Sequence, residues 1–304
     1  MHHILAQVAA EFKSLEANLR QSFRVLAQGR PRADVAELDG VSIASLGAAF
    51  QMFNAAFLNR RVAARAELEA RLGSARQVFA ARRLPWAFWI CEEWLAWPAR
   101  RALTGVCENF ALRAAAEMPG MVADSLREPK RLPLAGRAAT SLGIRRAATS
   151  LDIRRVATSL DIRRAAPALD IRQAEESRTM EDFRAVGSVC FHVPAVWFRE
   201  VFDDAMPFRA FTCWVGYHDG RPVATAATVV SDGVIGLYNV ATMPGDRGRG
   251  YGEAITRHAL ADASRRSGLR RVILQSTAQG ERLYKRLGFR EVSRVVVFNS
   301  LLPQ

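Results

Sequence analysis

Arg247-Gly248-Arg249-Gly250-Tyr251-Gly252 is the stretch whose residue types and spacing best suit chemistry. It follows an apolar run that ends in Thr242-Met243-Pro244 and precedes a segment with helical periodicity. A strand that delivers the chain to such a loop lets glycine backbone approach a ligand closely, and the following helix adds the positive end of its dipole. Backbone N–H groups gathered in this way bind phosphate, so the loop reads as a nucleotide-cofactor site. Arg247 and Arg249 would add charge beside it. Three glycines in six residues also make an ordinary flexible turn, so the elements on either side must decide.

Those elements alternate clearly in the C-terminal half. Ala168-Leu169-Asp170-Ile171-Arg172-Gln173-Ala174 alternates apolar and polar residues and reads as a first strand. Ser177–Val193 and Pro194–Met206 read as helices. Phe208–Tyr217, Pro222–Val230 and Val234–Thr242 read as antiparallel strands joined at His218-Asp219-Gly220 and Ser231-Asp232-Gly233. Gly252–Ser267 reads as a helix, Arg271–Gln275 as a strand, Gln279–Leu287 as a short helix and Phe289–Phe298 as a last strand.

Composition narrows the setting. With 304 residues, half of them apolar, the chain can hold two globular domains. The net charge of +13 is almost all arginine, since the lysines are Lys13, Lys130 and Lys285. The arginines are scattered and not interleaved with aromatics, which favours solvated helix faces over a nucleic-acid surface. Cys91, Cys107, Cys190 and Cys213 form no CxxC pair and read as thiols of a reducing compartment. His192, His218 and His258 lack ligand spacing, so no metal site is expected. The start of the chain has no secretory pattern, and Leu84–Trp97 is too short and too charged to cross a bilayer, so a cytoplasmic location without membrane contact is expected.

Residues 137 to 172 are four copies of a nine-residue unit: RAATSLGIR, RAATSLDIR, RVATSLDIR and RAAPALDIR. Nine residues turn a helix by about two and a half turns and a strand by an odd number of pleats, so successive copies share no apolar face. An expanded linker is the simplest reading; a repeat array or basic arm is the alternative. Upstream, His2–Ala27 is an amphipathic helix candidate, Val41–Leu58 alternates like strand, Val62–Arg82 is helical and Trp86–Cys91 is a buried strand candidate. Trp86, Trp89, Trp94 and Trp97 either line a cavity or, as large aromatics more often do, pack in a core or interface.

Over residues 169 to 300 this series resembles the GNAT superfamily of acetyl-CoA-dependent N-acetyltransferases. Two motifs carry the resemblance: Thr242 to Gly252, similar to the family's apolar-x-Pro-x-x-Arg-Gly-x-Gly-x-Gly segment, and Arg282-Leu283-Tyr284-Lys285-Arg286-Leu287-Gly288-Phe289, similar to its Leu-Tyr-x-x-x-Gly-Phe segment. The resemblance implies an α/β (α+β) fold, a mixed, mostly antiparallel sheet flanked by helices. It divides the chain into an N-terminal domain at 1–136, a repeat linker at 137–168 and an acetyltransferase domain at 169–304. The pieces from Val41 to Leu126 resemble in outline a degenerate first copy of the fold, with an α-rich domain as the alternative.

The resemblance further implies acetyl-CoA as cosubstrate, its pyrophosphate on the backbone of Arg247, Gly248, Arg249, Gly250, Tyr251 and Gly252 and its pantetheine arm along Val240, Ala241 and Thr242. A backbone N–H near Val240 would face the oxyanion, and Tyr284 would protonate the leaving thiolate. Thr277 stands where many relatives have Asn, which puts one cofactor hydrogen bond in doubt. Glu200, Asp203, Asp204, His218, Tyr238 and Glu253 are candidate bases, and water is another. The reading is an amine N-acetyltransferase acting in a ternary complex, with a non-catalytic acyl-CoA sensor as the alternative; acceptor and oligomeric state are not legible.

Overall fold

The computed structural model describes residues 2–28, 30–128, 169–202 and 211–301. The repeats upstream of Leu169, and Asp203 and Asp204, lie outside them. The N-terminal half runs α1 (His2–Ala27), β1 (Asp34–Leu38), β2 (Val41–Ser45), β3 (Asn54–Leu58), α2 (Arg65–Arg82), β4 (Ala87–Cys91), α3 (Trp97–Asn109) and β5 (Leu112–Ala123). The C-terminal half runs β6 (Asp170–Gln173), α4 (Ser177–Phe191), α5 (Ala195–Val201), β7 (Phe211–His218), β8 (Arg221–Ser231) and β9 (Val234–Thr242). It ends with α6 (Tyr251–Ser267), β10 (Val272–Gln275), α7 (Glu281–Leu287) and β11 (Arg290–Ser300).

The two Asp-Gly turns set the β7–β8–β9 meander. Asp219 and Gly220 (φ +50° and +73°) and Asp232 and Gly233 (+51° and +72°) both take the left-handed pair that matches the twist of a tight hairpin.

All eleven strands join one mixed, mostly antiparallel sheet in the order β1-β2-β3-β4-β11-β5-β10-β9-β8-β7-β6. The parallel pairs are β3/β4 and β9/β10. From β1 to β7 the order and directions are the same read from either end, with β11 and β5 antiparallel at the centre. The last strand of the chain thus lies inside the N-terminal half, and β5 lies beside β10 of the C-terminal half.

Seven helices, among the described residues, cover the two faces. One face carries α2 and α3 over the N-terminal strands and α6 and α7 over the C-terminal ones. The other carries α4 and α5 toward one edge and α1 across the middle. Phe12, Leu15, Leu19 and Phe23 of α1 pack on Phe57, Trp89, Val122, Val234, Ile273, Val295 and Val297, strands drawn from both halves. Burying those four side chains is worth at most roughly 6–12 kcal/mol, so α1 ties the halves together.

The C-terminal elements follow the sequence pattern to within a few residues. The N-terminal half departs from it. Five strands exclude a plain helical domain there, and Val41–Leu58 is two antiparallel strands around a 3-10 turn at Gln51–Phe53. The periodicity missed β1, α3 and β5. Trp86 and Trp89 are buried as core packing predicts, whereas Trp97 is 70% exposed at the start of α3.

Candidate functional site

The candidate site starts where β9 and β10 part. They pair only at Ile235 and Gly236, after which β9 continues to Thr242 without that neighbour. On its other side β9 stays on β8, with a bulge where Ala226 stands opposite Asn239 and Val240. Asn239 takes φ +49°, and its carbonyl accepts from Thr225 Oγ1 at 2.9 Å. A bulge re-aims the backbone beyond it. The peptide groups of Val240, Ala241 and Thr242 thereby run along the edge of an open fork.

Beyond Thr242 the chain is pinned by Met243 N–H donating to Val223 O at 2.9 Å and turns through a 3-10 segment at Pro244–Asp246. Arg247 Nε donates to Thr242 O at 3.2 Å, and Arg249 Nη1 lies 3.3 Å from the buried Asp246 carboxylate. Gly248 and Gly250 sit at φ +77° and +90°, where a side chain would be strained. The first helical bond of α6 runs from Ala254 N–H to Gly250 O, at 3.0 Å, so the N–H groups of Tyr251, Gly252 and Glu253 open the helix without an intrahelical partner. A Cβ on Gly252 would stand 3.1 Å from Thr242 Oγ1 and 3.7 Å from Leu283 Cδ2. The strand end, the glycine loop and α7 therefore meet at Gly252.

Tyr284 of α7 is 7% exposed and shares a hydrophobic cluster with Val240. Its ring meets Phe289 edge-on at 5.6 Å. Burial pushes its phenol well above the ordinary tyrosine range, so it stays protonated at neutral pH. The other tyrosine of the motifs behaves differently. Tyr251 is 1% exposed beside the His218 ring at 5.4 Å, and only its main chain faces the loop. Thr277 is occupied at the start of α7: its hydroxyl accepts from Gly280 N–H at 3.2 Å, and its carbonyl accepts from Gly280 and Glu281 at 3.0 and 3.1 Å.

The described base candidates are each engaged. Glu200 Oε2 accepts from Ala49 N–H at 3.1 Å, Glu253 pairs with Arg257 at 2.9 Å, and His218 Nε2 lies 3.4 Å from Asp219. Tyr238 donates its hydroxyl to Asn18 Oδ1 at 2.7 Å. No cluster of His, Cys, Asp or Glu able to hold a metal occurs among the described residues. No described helix is long and apolar enough to cross a membrane. The four cysteines are free thiols; burial pushes Cys107 up to about 12, and Cys190 rises by burial against the opposing pull of nearby Arg247.

Sequence reasoning missed Asn18. Fully buried on α1, it also donates Nδ2 to Ser231 Oγ at 2.9 Å, and its Oδ1 stands 2.1 Å from where a Cβ on Gly236 would be. Gly236 inside a strand was the available signal, because such a glycine often marks close approach of another group.

Residues 209–291 match the family model of an acetyltransferase (GNAT) domain. Among solved structures, a GCN5-related N-acetyltransferase from Kribbella flavida is similar with a TM-score of 0.63 at 17% identity, over 94% of this chain and 95% of that one. Another from Sphaerobacter thermophilus gives 0.55 at 13% identity, over 87% of this chain and 78% of that one. A functionally unknown conserved protein from Staphylococcus epidermidis gives 0.54 at 11%, over 88% and 94%. These likenesses span both halves of the fold. No curated protein matches the chain in sequence.

Proposed function

Since the C-terminal half carries a GNAT acetyltransferase domain, a family of acyl transfer from acyl-CoA to an amine, we propose that the chain transfers acetyl from acetyl-CoA directly to an amine in a ternary complex. The supporting observation is the convergence at Gly252 of the end of β9 that β10 leaves open, the first turn of α6 and the side chain of Leu283. In this reading the backbone from Arg247 to Gly252 takes the pyrophosphate, with Arg247 and Arg249 beside it. Val240, Ala241 and Thr242 hold the pantetheine arm, and a backbone N–H near Val240 stabilises the tetrahedral oxyanion. Thr277, its hydroxyl already accepting from Gly280 N–H, supports the cofactor through its position at the head of α7. The amine nitrogen attacks the thioester carbonyl, the C–S bond breaks, and Tyr284 donates its proton to the departing thiolate; the amine's proton passes to water, and a proton from water restores the Tyr284 phenol. The reading includes a domain boundary within 137–168 and a reducing, cytoplasmic setting, which four free thiols support.

The test is thiol release from acetyl-CoA across small amines, amino acids, aminoglycosides and peptide N-termini. Turnover is expected with at least one class, and Tyr284→Phe is expected to lower kcat by roughly 10²-fold or more with little change in the KM for acetyl-CoA. A second reading, acyl-CoA binding without turnover, is favoured by the engagement of every described base candidate. Thermal stabilisation by CoA, with no thiol release in any arm, would establish it instead.

A further inference from the structure

We propose that the outer edge of β7 is a docking seat for the Leu-Asp-Ile-Arg core of the nine-residue unit, and that residues 160–163 of the same chain are its second occupant, held in reserve behind β6. Strand β6 is the core of the last unit: it closes one end of the sheet and covers residues 214–217, half of β7. Each of its side chains meets a particular feature of that edge. Leu169 and Ile171 lie on the apolar cluster that contains Trp214, Val223 and Ala224. A Cβ on Gly216 would stand 2.7 Å from Leu169 Cδ2, so the bare glycine is what admits the leucine. On the opposite face Arg172 donates to Asp170 Oδ2 at 2.6 and 2.9 Å and lies over the Tyr217 ring at 4.8 Å. The Tyr217 hydroxyl in turn donates to Asp182 of α4 at 2.7 Å.

The seat thus asks for apolar side chains at its first and third positions, a carboxylate at the second and an arginine at the fourth. Outside the described residues the sequence repeats that set twice, as Leu151-Asp152-Ile153-Arg154 and Leu160-Asp161-Ile162-Arg163, whereas Leu142-Gly143-Ile144-Arg145 lacks the carboxylate. From the first to the fourth position nothing distinguishes β6 from those two copies. The fifth is Gln173 in β6, where it donates to Glu175 Oε1 at 2.6 Å. In the copies it is Arg155 or Arg164, a charged donor for the same carboxylate.

Connection, not chemistry, favours the last unit. It runs directly into Ala174, whose N–H donates to Cys213 O at 2.9 Å, and on into α4. Seating 160–163 loops out residues 165–173, at an entropy cost that rises only slowly with loop length. An empty seat is worse, because it uncovers the cluster around Trp214 and leaves the edge of β7 unpaired, the state in which sheets join other molecules. Residues 160–163 come next after β6 because 151–154 would loop out a second whole unit.

Ile171→Asp, which sets a carboxylate against the apolar cluster, displaces the last unit and tests the reserve. In the full chain it is expected to lower the melting temperature by about 3 °C or less, and by about 8 °C or more when Ile144→Asp, Ile153→Asp and Ile162→Asp accompany it. Those three substitutions alone, on units that are not seated, should leave the melting temperature unchanged. In the Ile171→Asp chain the amide hydrogens of residues 161–163 should exchange at least tenfold more slowly than in the wild type. Equal losses in the two backgrounds, no loss in either, or unchanged exchange at 161–163 would overturn the proposal, as would insolubility of the Ile171→Asp chain with its upstream units intact. A dimer of that chain by light scattering would give the seat to a second copy and overturn the same-chain occupant.

Discussion

Tyr284 is buried with its proton, and the sign of the consequence is fixed. An unfolded tyrosine releases its proton near pH ~10, whereas the folded site holds it to higher pH. Above pH ~10 the unfolded chain therefore binds fewer protons than the folded one, and stability falls as pH rises. Tyr284→Phe should remove that pH dependence, so the denaturant midpoint of the wild type should fall relative to that of the variant as pH rises above ~10. If the variant loses stability as steeply as wild type, the phenol is not held in this way. For the same reason kcat should show no falling limb from this acid below pH ~10. The position of Tyr284 on a short helix was legible because it rides on a local motif, Leu283-Tyr284 ahead of Gly288-Phe289. The direction of Tyr251 was not, because its place at the first turn of α6 says nothing of which face the phenol takes; only the packed core decides that it lies against His218.

Helix α1 shows what helical periodicity tells and what it omits. Its apolar spacing predicts an amphipathic helix over His2–Ala27, and that helix is present. The pattern gives no sign that Asn18 on it crosses to β8 and β9, more than two hundred residues downstream, to hold Tyr238 and the carbonyls at the hairpin end. Gly236 is the matching half of this contact. Gly236→Ala would drive a methyl into Asn18 Oδ1, and the loss should be roughly 1–3 kcal/mol, read as a lower urea midpoint at unchanged slope. Asn18→Ala, which removes the acceptor of the Tyr238 hydroxyl and the donor to Ser231 Oγ, should cost a similar amount. In the double variant the collision with Asn18 is gone and only that with Tyr238 Cε2, 2.5 Å from the added Cβ, remains, so the combined loss should be less than additive. Full additivity would show that the two residues do not meet. The missed elements have a common cause: β1 is short, α3 begins in a tryptophan-rich run that reads as core, and β5 carries Ala114-Ala115-Ala116 and Pro119, which local propensity assigns to no strand.

The order of strands across the sheet could not be read from local pattern at all. The alternation in the C-terminal half identifies its elements, yet β11 pairs with β4 and β5 by contacts that no short window contains. Once the two halves share a sheet, the segment between β5 and β6 has a geometric task that sets its minimum length. Four strands, β10, β9, β8 and β7, separate its ends. At about 4.8 Å per strand this is about 24 Å across, and returning along the strands makes the path roughly 30 Å. Deleting residues 137 to 163 removes the first three nine-residue units and leaves the last one, whose Asp170–Gln173 forms β6. The remaining residues 129–136 and 164–168 still span up to about 43 Å when extended. Leu169 keeps its seat over Gly216, and Arg172 its place over the Tyr217 ring at 4.8 Å. The shortened chain should therefore express in soluble form, melt within a few degrees of the full chain and bind CoA with the same affinity. Insolubility or a melting temperature lowered by ten degrees or more would mean that the upstream repeats contribute contacts of their own.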